Sequence, residues 1–291
     1  MSLTRSWLLV LSLFTLPVTV SVLAQPPAPL AIEIHHYDAE SADMLNSGGT
    51  DQSADIDTVR LLFKAIATPL QVQQMPIART DRMMEQGLPV CSLNRVKSAE
   101  RASKYLFSLP VNFYLGYQLY QHAAAEAVPP ALLNKQGQIL SLKALLQQYP
   151  RQQIVVPKDY SFGDALDKAV AELPARQITA ISTSHYYQHF VAMFEAGRAD
   201  FILLYPTEMQ AYLQKNTALK VRQYPLAQAP AYASGHLMCA DSAVTRDFIK
   251  KVDAALKQLY RQQAFVEANS YTLSAADRRK IQQIIRQHRQ P

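Results

Sequence analysis

The residues best equipped for chemistry lie between Cys91 and Pro110, in CSLNRVKSAERASKYLFSLP. A buried strand is expected over residues 88–93, a polar loop then leads to Arg101, and an aromatic and apolar run returns the chain to Pro110. A guanidinium held at the end of a buried strand is a rigid two-pronged donor, suited to a carboxylate or another planar acceptor. Residue type alone favours a plainer reading, a surface arginine at a helix start, so the weight of Arg101 depends on what faces it. Further along, Ser161, Phe162 and Gly163 precede a helix expected from Asp164. Free N–H groups and the helix dipole make such a start attractive to an anion, and simple capping by Ser161 or Asp164 uses the same atoms. Arg79, placed just after Pro76 at another helix start, works against the dipole, which suggests that another interaction favours it there. Tyr37, following the first strand, offers a ring that can stack on a ligand or fill the core.

Other chemistries are poorly provided for. His185 and His189 stand four apart on an expected helix, but two ligands without a third or an HExxH glutamate make no metal site. His35 and His36 point to opposite faces of a strand. Thr183 and Ser184 read as helix caps. Neither a GxGxxG or GxxxxGK phosphate cradle nor a GxSxG nucleophile turn occurs, and the serines near Arg101 have no assignable histidine partner. No cofactor and no enzymatic activity is expected.

The elements that must position these residues alternate. A strand over 30–35 runs into a polar loop with Gly48 and Gly49; a helix over 55–67 repeats Ile56, Val59, Leu62, Phe63 and Ile66 at helical spacing. A strand over 70–75, a helix over 76–86 stopped by Gly87, and the strand at Cys91 follow, the pattern of a parallel α/β sheet. Residues 111–120, VNFYLGYQLY, read as one long aromatic strand. A second α/β unit then has a helix over 140–149, strands over 153–156, 178–181 and 200–204, and helices over 164–172 and 185–196. A proline-rich and alanine-rich connector over 224–233 precedes a strand over 235–240 and two helices, over 243–262 and 275–288. Two lobes are the expected organisation.

Composition sets the compartment. The chain has 291 residues, enough for two domains. Arg5, an apolar run broken by Pro17, and the ending Val22-Leu23-Ala24 form an export signal, with cleavage expected after Ala24. Gln25 in place of a cysteine argues against a lipid anchor, and no later run approaches the roughly 20 apolar residues of a membrane span. The mature protein is therefore expected in the periplasm. Its formal charge of +6 falls by one with Arg5, and no dense basic block interleaved with aromatics marks a nucleic-acid partner. The basic residues Arg278, Arg279, Lys280, Arg286 and Arg289 read as a solvated helix face. Cys91 and Cys239 are a candidate disulfide in an oxidising compartment, with two buried thiols as the alternative.

Taken together, Pro76-Ile77-Ala78-Arg79, Ser98 to Arg101, Phe107-Ser108-Leu109-Pro110, Tyr160-Ser161-Phe162-Gly163 with Leu166-Asp167, and Gly197-Arg198-Ala199-Asp200 resemble type 2 periplasmic solute-binding proteins, the amino-acid-binding-like family 3 of bacterial extracellular solute-binding proteins. The resemblance spans about residues 30–271. It implies a two-lobed α/β fold, each lobe a mostly parallel mixed sheet flanked by helices, with two hinge strands and a ligand cleft between lobes. Lobe 1 would be 25–117 plus 232–291, and lobe 2 would be 118–231. By position Arg101 matches the arginine that clamps a ligand carboxylate, Cys91 to Asn94 supply groups beside it, and Ser161, Phe162 and Gly163 oppose it.

One departure concerns specificity. Tyr205 stands where amino-acid binders place the aspartate that holds the ligand's ammonium, and a tyrosine has no charge at neutral pH. Asp38 or Glu208 are possible substitutes that the sequence does not place. If the last strand returns to lobe 1, the resemblance also brings Cys91 and Cys239 into one sheet. The expected function is capture of a small polar, carboxylate-bearing ligand for a membrane permease, by a monomer. The alternatives are ligand-dependent docking on a periplasmic sensor domain of a histidine kinase or cyclic-dinucleotide enzyme, and a lyase or dehydratase on the same fold.

Overall fold

The computed structural model describes residues 32–48, 53–69 and 71–289. The export signal, its cleavage after Ala24, Gly49 and Leu70 lie outside the described residues. The first run of elements is β1 (Glu33–His36), α1 (Ala39–Ser47), α2 (Ala54–Ala65), β2 (Val72–Gln74), α3 (Ile77–Glu85), β3 (Val90–Val96), α4 (Ala99–Ala102) and β4 (Leu106–Leu115). A second run follows: β5 (Gln118–His122), α5 (Leu142–Gln148), β6 (Ile154–Pro157), α6 (Asp164–Ala171), β7 (Ile178–Ile181), α7 (Tyr186–Glu195), β8 (Phe201–Leu204), α8 (Pro206–Lys215) and β9 (Val221–Pro225). The chain closes with β10 (Tyr232–Cys239), α9 (Ala243–Leu259), α10 (Gln263–Ala268) and α11 (Ala275–Gln287).

These strands form two five-stranded mixed sheets, ordered β2-β1-β3-β10-β4 and β7-β6-β8-β5-β9. In the first, β1 runs parallel to β2 and β3, and β10 is antiparallel to β3 and β4. In the second, β6 is parallel to β7 and β8, while β5 is antiparallel to β8 and β9. Each sheet buries its own core. Ile56, Val59, Leu62 and Phe63 of α2 join Val252, Leu256 and Leu259 of α9 against the first sheet. Leu145 and Leu146 of α5 and Leu166 of α6 cover one side of the second sheet, and Phe190 and Phe194 of α7 the other. The result is a two-lobed α/β fold, crossed by the chain at 116–117 and again at 226–231.

Several elements depart from the sequence reading. The run 111–120 is not one strand: β4 belongs to the first sheet and β5 to the second, with the break at Gly116 and Tyr117. A Cβ on Gly116 would lie 2.0 Å from the Pro230 carbonyl oxygen, so the two crossings touch where only glycine fits. The loop after Tyr37 contains α1, capped by Asp38, whose side chain accepts from Ser41 N. Pro110 is tolerated inside β4 because the β4–β10 register shifts beside its partner His236. Cys91 and Cys239 lie directly opposite each other on β3 and β10 and form a disulfide. Among the described residues no helix is long and apolar enough to cross a membrane.

Candidate functional site

Strand β3 ends in two arginines' territory rather than one. Arg95, 3% exposed, is paired with Asp81 of α3 at 2.9 Å. Arg101, in the short helix capped by Ser98, is partly buried and donates from Nη1 to Val96 O at 3.3 Å. No carboxylate forms an ion pair with Arg101 among the described residues. Burial, and then the neighbouring Arg95 guanidinium, pull its pKa below the ordinary value, against the opposing pull of Asp81 and Asp167. Asn94, left-handed at φ 52°, accepts from the Tyr114 hydroxyl at 3.0 Å through Oδ1. Asparagine tolerates that backbone conformation.

Across the lobes, Ser161 shares a crevice with Arg101, Arg95, Asn94, Tyr37 and Tyr160, but its volume is only about 10 Å³. The turn before α6 is already braced from within. Ser161 Oγ donates to Asp167 at 2.5 Å, Phe162 N donates to the same carboxylate at 2.6 Å, and Gly163 N donates to Ser161 Oγ. An incoming anion would compete with Asp167 for the Phe162 amide and with Ser161 Oγ for the Gly163 amide. The Phe162 ring is buried among Tyr117 and Tyr160. Arg79 is exposed on α3, and Ile77 lines the crevice in its stead.

Tyrosines fill the rest of the interface. Tyr205, 3% exposed, stacks on Tyr114 at 4.4 Å and on Tyr117 at 3.9 Å, joining β4, the first crossing and the second lobe in one aromatic column. Tyr117 and Tyr160 share a hydrogen bond of 3.0 Å, as do Tyr37 and Tyr187. Tyr37 also meets Tyr160 and Tyr186 edge to face. Burial pushes the Tyr205 and Tyr37 phenols well up, so both remain neutral. Arg95, Tyr186 and Tyr187 escaped the sequence reading, and Tyr160 entered it only as the first residue of the Tyr160-Ser161-Phe162-Gly163 motif. The available signals were a charge inside the apolar run VCSLNRV and the gathering of tyrosines just after strands.

One direct bond between the lobes joins Ala99 N to the Asp164 carboxylate at 3.3 Å, and a group of others converges on the start of α1. Asp38 accepts from Ser41 N with one oxygen and from Tyr186 N with the other, capping α1 in one lobe while holding the first residue of α7 in the other. Ala39 N donates to Ser184 O at 2.6 Å, and Gln188 donates to Glu40 at 2.8 Å. Buried His36 accepts from Asp38 N at 3.0 Å, and burial lowers its pKa, keeping the ring neutral. Beside these contacts a cavity of about 620 Å³ opens between the starts of α1 and α2 and helices α7 and α8. Asp38, Glu40, Asp55 and Glu208 line it together with Tyr187, Thr207 and Tyr271. His185 and His189 have ring centroids 5.3 Å apart, and no group of three metal-ligating side chains converges among the described residues.

This architecture is the fold of type 2 periplasmic binding proteins. No protein-family model matches the chain, and no curated protein matches it in sequence. Solved structures do. A protein described as a putative L-cystine ABC transporter from Listeria monocytogenes superposes with a TM-score of 0.58 at 16% identity, covering 84% of this chain and 97% of that one. An amino acid ABC transporter substrate-binding protein from Streptococcus pneumoniae, bound to L-arginine, is similar with a TM-score of 0.58 at 15% identity, over 83% and 93% of the two chains. An arginine-specific periplasmic binding protein of Salmonella typhimurium gives 0.56 at 11% identity, over 81% and 96%. At these identities the likeness is one of fold.

Proposed function

We propose that this chain is an exported solute-binding protein that closes its lobes, 25–117 with 232–291 and 118–231, on a small carboxylate-bearing molecule and passes it to a membrane permease. The observation behind this reading is Arg101, a partly buried guanidinium without a carboxylate partner at the interlobe crevice. An amino-acid-like solute and an ABC permease are supported by the similar structures, which include an arginine-bound ABC transporter protein. Binding is favoured over catalysis because the crevice holds guanidinium, amide and phenol groups but no paired nucleophile and base. Its volume of about 10 Å³ means that the lobes open before a ligand enters, by hinge motion at the two crossings. Tyr205 in the ammonium-binding position favours ligands whose recognition rests on the carboxylate.

The test is calorimetric titration of amino acids and organic acids against wild type and Arg101→Ala. Loss of a buried charge-assisted pair costs about 2 kcal/mol or more, so the best ligand should weaken by about 30-fold or more. Equal affinity in both proteins, or no bound carboxylate in the panel, refutes the reading.

A further inference from the structure

We propose that the cavity between the starts of α1 and α2 and helices α7 and α8 is a second binding site, independent of Arg101, for an organic cation of the amine class, with Glu208 as its charge partner. The two sites differ in size. At about 620 Å³ the cavity falls in the range of small-molecule sites, whereas the Arg101 crevice offers about 10 Å³.

Of the four carboxylates that line the cavity, three are already engaged. Asp38 is held by two backbone amides, Glu40 by Gln188, and Asp55 by the Ser53 hydroxyl. Glu208, in the first turn of α8, accepts no hydrogen bond and forms no ion pair among the described residues. Beside it Thr207, 3% exposed and lining the same cavity, has a hydroxyl with no hydrogen-bond partner. A buried hydroxyl left unpaired costs about 1–3 kcal/mol, which a ligand's polar group would recover once the Thr207 side chain turns toward the cavity.

The spacing of the acidic groups selects the kind of cation. The acidic groups do not converge as metal ligands, so a cation spread over several ångströms fits better than a single ion. Tyr187, Tyr212 and Tyr271 add ring faces of the type that attract ammonium groups. Asp38 at the cap of α1, Glu40 in its first turn and Asp55 on α2 surround Glu208, against Lys215 on its own helix and His189 on α7. Burial and these three carboxylates push the Glu208 carboxyl up to about 8, above the favourable pull of the helix start. The site thus holds a proton where it can hold a cation, and a bound amine displaces that proton.

The probe is 1,5-diaminopentane, which has no carboxylate for Arg101, followed by calorimetry at pH 6.5 and 8.5. Wild type should bind it about 20-fold more tightly at pH 8.5, because ionised Glu208 rises from a few per cent to most of the population. Glu208→Gln should bind at least about 10-fold more weakly at pH 8.5 and lose the pH dependence. Ala211→Phe, which fills the cavity and keeps every carboxylate, should also abolish binding, while Arg101→Ala should stay within about twofold. The proposal is overturned if wild type does not bind the diamine at millimolar concentration, if Glu208→Gln binds like wild type, or if Arg101→Ala abolishes binding. Because the diamine lacks a carboxylate, these outcomes leave the carboxylate titrations a separate test.

Discussion

Reducing the bond between Cys91 and Cys239 should lower the melting temperature substantially. The bond joins directly paired residues of β3 and β10 across a sequence separation of 148. In the chain-entropy treatment a loop of that length restricts the unfolded state by up to about 5 kcal/mol at 25 °C. For a chain of this size each kcal/mol shifts the melting temperature by about 2 °C, so a drop of about 10 °C is expected. Both sulfurs are buried in the first core, so reductant must act on the unfolded chain. The assay is therefore reduction in guanidinium, refolding under reductant, and comparison of circular-dichroism melts with the oxidised protein. Hydrogen exchange should show the loss of protection confined to the first sheet. A reduced protein melting within about 2 °C of the oxidised one, or two alkylatable thiols in the untreated protein, would refute the reasoning.

Two further outcomes follow from the geometry. The Glu208 carboxyl, ordinarily near 4.5, is raised to about 8 by burial and by Asp55, Asp38 and Glu40. Between those values the folded protein retains a proton that the unfolded chain has lost, so this group makes stability fall as pH rises through that window. Partial exposure discounts the effect to about 1–3 kcal/mol. Glu208→Gln should therefore melt several degrees above wild type at pH 8 and within a degree or so of it at pH 4.5; equal melting at pH 8 contradicts the account. Gly116→Ala would place its Cβ 2.0 Å from the Pro230 carbonyl and force the two crossings apart. A loss of about 2 kcal/mol or more is expected by urea unfolding, and an unchanged midpoint would show that the crossings do not depend on that contact.

The alternation of strand and helix was legible because most elements bury a regular apolar face, as α2 does with Ile56, Val59, Leu62 and Phe63. The elements missed lack that signal. Helix α1 buries only Ser41, Ala42 and Leu45. Helix α8 follows Tyr205, which makes no side-chain cap, and Pro206 at its start reads as readily as a loop. Strand β9 buries Tyr224 alone. The passage from β4 to β5 escaped notice because aromatic residues continue across Gly116 while the hydrogen-bond partners change from one sheet to the other. Arg101 was legible as a cation, but Arg95 beside it and the tyrosines packed across the crevice arise only when distant strand ends meet. Glu208 and Asp38 were visible as charges. Their common cavity depends on the contact of α1 with α7, which no local pattern encodes.

The position of β10 has a consequence for how the molecule is made. It sits between β3 and β4, and β4 joins its sheet through β10 alone. All five strands of the second sheet come from the unbroken stretch 118–225, so that sheet can close while the chain is still emerging. The first sheet must wait for residues 232–239, holding Cys91 without its partner and β4 without a neighbour through the synthesis of everything between. The first half of the chain is thus the last to be finished, and a protein cut short before β10 would keep one sheet whole while leaving an open strand edge on the other.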